Sequence, residues 1–540
     1  MTRPRVLIFG VDGATFDLIR PWAAAGHLPN FARLMESGAH GELESTLPPV
    51  TSPAWPTFMT GCNPGKHGVF DFIRPKGDSF GLVNSTSIQQ PTIWQILSEA
   101  GLKVGAMNIP VTYPPHPVNG FMITGLLSPT RGGDVCYPAD LLSRYEATLG
   151  SYRIVPRVQY TPGAEGPFIA DLYDLIETHG RWGLHLVQQE PWDLFMLHFL
   201  SLDVMQHAMW RFADKSHPRY AGGAFEDAIR DGYTRVDAAM GKIMDQMDEG
   251  TVVMVMSDHG FGPLHAIVNL NNYLLEKGLL KLKGDPWTRL KAFAFRHGIT
   301  PETVFRWLSR LKVQNVVARV SKGTRNKVMG KFLSYDSVDW SRTKAYSMGH
   351  VGQLYLNVAG REPHGIVRPE ERPQVLQEVM EALRELPGED GRPLVTRQIP
   401  KNETYHGEHA EEGPDLHVVL DEYRMISFPL FATNGQVVAR QIRGDSGCHR
   451  SEGIFIASGA GIRPGEVVGG ANLMDLAPTI LHLLGLPVRS EMDGRVLAEI
   501  IESAAPVRYK ETQPHVSHET GLDAEDEAEV EERLRSLGYL

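Results

Sequence analysis

The chain has 540 residues, 22% of them charged and 42% hydrophobic, and a net charge of −11 at pH 7. That length exceeds what one simple core accommodates, so one large domain with an insertion, or two domains, is expected. The acidic balance excludes a general nucleic-acid binder, which needs a basic face, and three widely spaced cysteines (Cys62, Cys136, Cys448) exclude a disulfide framework and suit a reducing compartment.

Arg3 and Arg5 precede the apolar run 6–9, but Asp12 and Asp17 follow almost at once, too soon for the apolar region of a signal peptide. No run of about 18 apolar residues comes later, so no membrane span is expected and the default location is cytoplasmic.

Residues 5–11, Arg-Val-Leu-Ile-Phe-Gly-Val, read as a buried parallel strand that stops at Asp12-Gly13. In open α/β sheets ligands collect at the carboxyl ends of strands, which is where Asp12 stands. A helix pattern runs through 28–34 and ends at Gly38. The stretch 47–61 then sets two hydroxyls, Thr51 and Ser52, before Pro53, follows them with an apolar run and closes on Gly61. This predicts a helix with a hydroxyl as its N-cap. Such a hydroxyl lies beside unpaired amides and the positive end of the helix dipole, a site for an anion such as phosphate; a purely structural cap has the same appearance. Residues 64–68 read as a turn.

Further α/β units follow: a helix at 92–100, a strand at 103–110, and a stretch rich in Pro, Gly and Tyr at 110–165 that reads as a long surface excursion. Residues 166–190 are predicted helical, and 192–199 form a strand that delivers Asp203 and His207. A helix over 226–248 leads to an apolar strand ending in Ser257-Asp258-His259-Gly260. Strands alternating with helices predict an α/β fold, a mostly parallel sheet sandwiched by helices.

The character changes near residue 277. Between 281 and 331 there are thirteen Lys or Arg against two acids, Asp285 and Glu302, interleaved with Trp287, Leu290, Phe293, Phe305, Trp307, Leu308 and Leu311. This basic amphipathic insertion fits a solvated lid, a collar attracting an anionic substrate, or a membrane-surface patch. The expected organisation is a catalytic core at 1–276, an inserted helical or mixed cap subdomain at 277–404, the last part of the core at 405–505, and a polar, acidic tail at 506–540. The last core block holds Gly444 through His449, a strand over 453–458 and a capped helix over 472–485; the tail offers one short helix with Val530, Leu534 and Leu537 on one face.

Each strong strand thus ends in candidate ligands. Asp203 and His207, four apart, share a face if their segment is helical. Asp258 and His259 are adjacent at a strand end, and His449 lies in a glycine-rich loop. Two sets, Asp/Asp/His and Asp/His/His, suit zinc with mixed oxygen and nitrogen ligands.

These blocks resemble the alkaline phosphatase superfamily, most closely its type I phosphodiesterase/nucleotide pyrophosphatase branch. The resemblance rests on Asp12-Gly13, Leu28-Pro29-Asn30-Phe31, Pro49-Val50-Thr51-Ser52-Pro53, Thr60-Gly61 through His67-Gly68, Asp203 with His207, Ser257 through Gly260, His449 before Gly453-Ile454-Phe455, Asp475 through Thr479, and Met492-Asp493-Gly494. It implies two divalent metal ions, Zn2+ with Mn2+ as the alternative. Asp203, His207 and His449 would hold one, and Asp12, Asp258 and His259 the other, together with the oxygen of a nucleophile. Aligning the branch's Thr-x-Pro makes Thr51 that nucleophile, with Ser52 as its rival.

The function implied is a two-metal phosphohydrolase of the phosphodiesterase type, working on an anionic phosphoester through a phosphothreonine intermediate. A phosphotransferase or mutase, a phosphomonoesterase, and a non-catalytic binding protein on the same scaffold are the alternatives. The sequence departs from the branch at Ala54, where nucleotide pyrophosphatases carry an Asn that helps hold a phosphate oxygen, and no equivalent of the phosphomonoesterase arginine is evident. A sulfatase is disfavoured because no Cys or Ser stands in the context that formylglycine formation needs. His67 reads as structural, His406 and His409 as loop residues within reach of a pocket, and Cys448 as a buried filler. No stable nucleic-acid partner is expected, and the sequence does not give the oligomeric state.

Overall fold

The computed structural model describes residues 3–76, 79–129, 134–297, 335–388, 391–428, 436–439, 444–503, 505–511 and 522–537. Most of the basic segment, 298–331, including Glu302, Phe305, Trp307, Leu308 and Leu311, lies outside them, as does part of the tail.

The chain forms two compact units: Met1–Leu264 with Thr404–Gly413 and Ile442–Leu540, and His265–Glu403 with Pro414–Gln441. The strands up to the unit boundary are β1 (Arg5–Val11), β2 (Ala39–Glu44), β3 (Ile73–Lys76), β4 (Ser79–Leu82), β5 (Val104–Ile109), β6 (Gly120–Thr124), β7 (Cys136–Tyr137), β8 (Leu194–Phe199), β9 (Thr251–Met256) and β10 (Gly260–Pro263). The second unit holds β11 (Ala266–Val268), β12 (Ala345–Ser347), β13 (Gln353–Leu356), β14 (Val395–Pro400), β15 (Leu416–Leu420), β16 (Met425–Ser427) and β17 (Val438–Ala439). The chain then returns to the first unit with β18 (Gly447–Arg450), β19 (Glu452–Gly459) and β20 (Ala471–Asn472).

The first unit is built on a nine-stranded sheet of order β20-β2-β19-β9-β1-β8-β5-β6-β7. Its centre, β9-β1-β8-β5-β6, is parallel throughout, while β19 runs antiparallel to both neighbours. Every residue of β5, β8 and β9 is buried, which is why these strands read as unbroken apolar runs. Register sets the site: Gly10 of β1 stands opposite both His198 of β8 and Met256 of β9, so the three strands end level.

Two short readings change. The stretch 110–165 is not simply a surface excursion, because β6 and β7 within it extend the sheet, with Phe121, Met122 and Ile123 buried. Residues 64–67 form a helical turn capped by Asn63, whose side chain accepts from Gly65 N. After α1 (Phe16–Ala24) and α2 (Pro29–Ser37), the helix predicted in 47–61 is α3 (Thr51–Thr60), whose ten residues are all buried.

The second unit begins at His265 rather than near 277, and it also takes in 414–441. The reason is strand pairing: β11 runs parallel to β16 and antiparallel to β17, so residues on both sides of the expected boundaries share one sheet. The tail helix, Ala524–Leu537, belongs to the first unit. It buries Val530 and Leu534, and its Glu527 accepts from Leu82 N at 3.1 Å.

Gly10 has no room for a side chain. A Cβ there would stand 2.7 Å from Trp55 and 2.8 Å from Met196, with His198 at 3.3 Å. Gly10→Ala is therefore expected to lower stability by about 1–3 kcal/mol through overpacking. An unchanged denaturant midpoint in equilibrium unfolding would contradict this packing argument.

Candidate active site

All seven residues singled out in the sequence as nucleophile or ligands come together at the carboxyl ends of β1, β8 and β9. Asp12 follows β1 directly and donates its amide to Phe199 O, at the end of β8. After β8 the chain turns at once into the helix Ser201–Ala213, which carries Asp203 and His207 on one face. Asp258 and His259 follow β9, and β10 pairs antiparallel with β18 so that Phe261 stands opposite His449. That pairing returns the last histidine to the site from 190 residues further along the chain. Gly13 adopts a φ of 64°, and a Cβ there would lie 2.8 Å from Phe261; its amide donates to Asp258 Oδ1 at 3.3 Å.

The three histidines share one orientation. Each Nδ1 donates to a backbone carbonyl: His207 to Gly447 O (3.1 Å), His259 to Gly260 O (3.1 Å) and His449 to Pro49 O (2.8 Å). In a neutral imidazole this leaves Nε2 as a lone pair. All three Nε2 atoms face the same carboxylate oxygen, Asp203 Oδ1, at 3.5, 4.0 and 3.3 Å for His207, His259 and His449. His207 Nε2 and His449 Nε2 are only 3.0 Å apart, and the His259 and His449 rings stack at 3.7 Å. His259 Nε2 also lies 3.6 Å from Asp12 Oδ1, 3.4 Å from Asp258 Oδ2 and 3.4 Å from Thr51 Oγ1.

This is an arrangement of acceptors facing acceptors. Asp12 Oδ1 and Asp258 Oδ2 are buried without a hydrogen-bond donor among the described residues. Burial, then the charges of Asp258 and Asp203, push the Asp12 carboxyl well above its usual range. Burial and then Asp203 raise Asp258 to about 7. Burial also opposes ionisation of Asp203, but the facing imidazoles, His207 foremost, hold that carboxyl below its usual range. Burial holds the His207 and His259 imidazoles below their usual range. Two groups of atoms, from Asp203, His207 and His449 and from Asp12, Asp203 and His259, each lie within 4.8 Å of one another. Asp203 thus belongs to both groups, where the family resemblance assigned it to one, and Asp258 lies beside the second, with Oδ2 3.4 Å from His259 Nε2. Converging carboxylates and imidazole lone pairs of this kind fit divalent cations, which replace the missing donors.

The hydroxyls are not where a cap would hold them. The N-cap of α3 is Val50, and Thr51 and Ser52 lie inside the first turn. Freed from capping, Thr51 Oγ1 faces His259, whereas Ser52 Oγ is buried with no hydrogen-bond partner among the described residues. His67 packs away from the site: Nδ1 accepts from Val69 N, so Nε2 donates to Thr57 Oγ1 at 2.8 Å, and burial lowers its pKa to about 3. His406 joins Asn63 and Asp493, and His409 pairs with Glu412. Cys448 is buried with Arg450 Nη1 3.1 Å from its sulfur.

One residue of the site escaped the sequence reading. His198, fully buried in β8, places Nε2 2.9 Å from Asp12 Oδ2 while Nδ1 donates to Asn108 O at 2.9 Å. The contact with Asp12 requires one shared proton. Trp55 closes over it, edge-on at 4.7 Å between ring centroids. The available signal was a single polar residue within an otherwise apolar strand.

Comparison with known proteins agrees with this architecture. A sequence model of the family described as type I phosphodiesterase / nucleotide pyrophosphatase matches residues 6–429. Human ectonucleotide pyrophosphatase / phosphodiesterase 5 is similar in structure, with a TM-score of 0.50 and 15% identity over 93% of this chain and 99% of that one. Phosphonoacetate hydrolase from Sinorhizobium meliloti 1021, solved with phosphonoacetate, gives a TM-score of 0.52 and 16% identity over 89% and 96%. These likenesses establish the alkaline phosphatase-like fold. GPI ethanolamine phosphate transferase 2 of Eremothecium gossypii is 29% identical over 102 residues, 19% of this chain. The chain spans only 11% of the length of that curated relative. With a family match over most of its length, the chain belongs to the type I phosphodiesterase/nucleotide pyrophosphatase family.

Proposed function

We propose that the protein is a two-metal phosphohydrolase that cleaves phosphodiesters through a phosphothreonine formed on Thr51. The observation that carries this reading is the convergence of three buried carboxylates and three Nε2 lone pairs beside the Thr51 hydroxyl. Asp203, His207 and His449 would hold one divalent cation, and Asp12, Asp258 and His259 the other, with zinc favoured by the mixed donors and manganese as the alternative. When bound, the ions supply charge neutralisation, polarisation of phosphoryl oxygens and a lowered pKa for a neighbouring hydroxyl.

The chain's own residues do the rest. The first turn of α3 fixes Thr51 against His259, and the His449–Pro49 hydrogen bond ties the preceding loop to the ligand cluster. Thr51 Oγ1 attacks phosphorus as the bond to the departing oxygen breaks, and the hydroxyl proton leaves with the released alcohol. Water then cleaves the phosphothreonine and restores the threonine. Three carboxylates set against two dications leave one net positive charge, which matches the single charge of a diester better than the double charge of a monoester. His198 and Trp55 position Asp12 from behind: the imidazole takes the carboxylate oxygen turned away from His259, and the indole excludes water.

A second reading draws on the likeness to GPI ethanolamine phosphate transferase 2, in which an alcohol acceptor in place of water would take the phosphoryl group. Product analysis with added alcohols separates the two.

Metal analysis paired with hydrolysis of aryl phosphodiesters and monoesters, before and after chelation, tests the proposal. About two zinc or manganese ions per chain, with diesterase activity lost on chelation, is the expected result; a protein that binds no metal and cleaves neither ester after reconstitution would refute it. Thr51→Ala is expected to reduce kcat about a thousandfold or more and to abolish an acid-trapped phosphothreonine seen by mass spectrometry, while Ser52→Ala retains it. Asp258→Ala should lose both metal and activity, and full retention of either would remove this residue from the assignment. His198→Ala should weaken zinc binding by the metal-free protein about 10–100-fold in calorimetry, with His198→Gln recovering part of the loss. Equal affinities in the two variants and the parent would leave His198 a packing residue only.

A further inference from the structure

The second unit carries a helix, Pro286–Arg296, whose surface is inverted relative to an ordinary solvent-facing helix. Trp287, Leu290 and Phe293 are 72%, 56% and 60% exposed, and they are three of the seven large hydrophobic residues exposed among the described residues. At about 100° per residue the three lie within one arc of about 120°. Arg289 and Lys291 stand about 40° beyond its two edges, one on each side. The opposite side is anchored: Thr288 and Phe295 are buried, and Asp285 caps the first turn by accepting from Thr288 N at 2.9 Å. The exposed stripe is therefore held outward by the fold rather than left over from a frayed segment.

We propose that this helix docks the protein on an anionic lipid surface. An apolar arc containing Trp and Phe, bordered on both edges by long cationic side chains, matches the two layers of a bilayer interface: acyl chains receive the arc, and lipid phosphates and carboxylates meet the cations above it. Residues 281–297 hold five Lys or Arg against one acid, Asp285, in a chain whose net charge is −11, which adds local attraction. A second copy of the chain is a poorer occupant, because a two-fold contact through this face would press its cations against their counterparts. Among the described residues no helix is long and apolar enough to cross a membrane.

The test is flotation of the full-length protein with phosphatidylcholine vesicles, with and without phosphatidylserine. Binding is expected to require phosphatidylserine, to weaken as salt is raised, and to fall about tenfold or more in the triple variant Trp287→Ser, Leu290→Ser, Phe293→Ser. The double variant Arg289→Gln, Lys291→Gln should lose the preference for phosphatidylserine. Brominated lipid should quench part of the tryptophan fluorescence of the parent, and that part should vanish in Trp287→Phe. Absence of flotation with either vesicle, or binding indifferent to the triple variant, overturns the proposal. So does a dimer in sedimentation that the triple variant dissolves, which would give the face to a second copy. Hydrolysis of a soluble diester is read in the same samples and is expected to be unchanged, so failure of lipid binding and failure of the hydrolase reading are separate results.

Discussion

Everything in the first unit answers to one electrostatic constraint: three buried carboxylates and three imidazole lone pairs, of which only that of His207 belongs to a part-exposed side chain, are brought within a few ångströms of one another. Burial alone makes an unpaired carboxylate costly, and each neighbouring carboxylate adds to that cost. Asp12 and Asp258 show the result in their raised pKa values. The three histidines relieve it little, because each Nδ1–H is spent on a backbone carbonyl and each Nε2 turns a lone pair toward the carboxylates. Under the proposed two-metal reading this is preorganisation: the folding energy of a large parallel sheet holds acceptors apart from their natural partners so that cations bind there.

The sheet supplies that energy because its central strands are buried on both faces and end level. Level ends matter more than proximity in sequence. Asp12, Asp203 and Asp258 are separated by 191 and 55 residues, yet each lies at or just past the carboxyl end of one of three adjacent strands. Packing behind the site is correspondingly tight, with Gly10 leaving room for Trp55 and His198 and for nothing more. Ala54 is fully buried there, next to Trp55, whose ring closes over the His198–Asp12 contact.

The second unit follows a different logic. Its seven-stranded sheet gathers β11, before the basic insertion, with β15, β16 and β17, long after it. Its buried charges are also paired conventionally: Asp415 accepts from Arg361 and Arg372 at 2.7 Å each. Set beside the site, Asp415 is a buried carboxylate whose charge is met by guanidinium groups, as those of Asp12 and Asp258 are not.

The sequence by itself determined the fold class, because unbroken apolar runs of strand length, each followed by a helix, have few ways to be buried other than a parallel sheet between helices. It also singled out all seven residues that meet at the site, since candidate ligands stood at the ends of those runs and their order matched a known pattern. Tertiary structure decided the rest. Thr51 rather than Ser52 faces His259 because the helix begins one residue earlier than a hydroxyl cap requires, with Val50 as its N-cap, a shift no local propensity reports. Asp203 lies between both ligand groups because of how the helix after β8 packs, and His198 joins the site only through the β1–β8 register. The boundary of the second unit moved for the same reason, since β11 belongs with strands some 160 residues away. Local pattern encodes what a segment is; which segments end level beside each other is a property of long-range pairing, and that is where the chemistry was fixed.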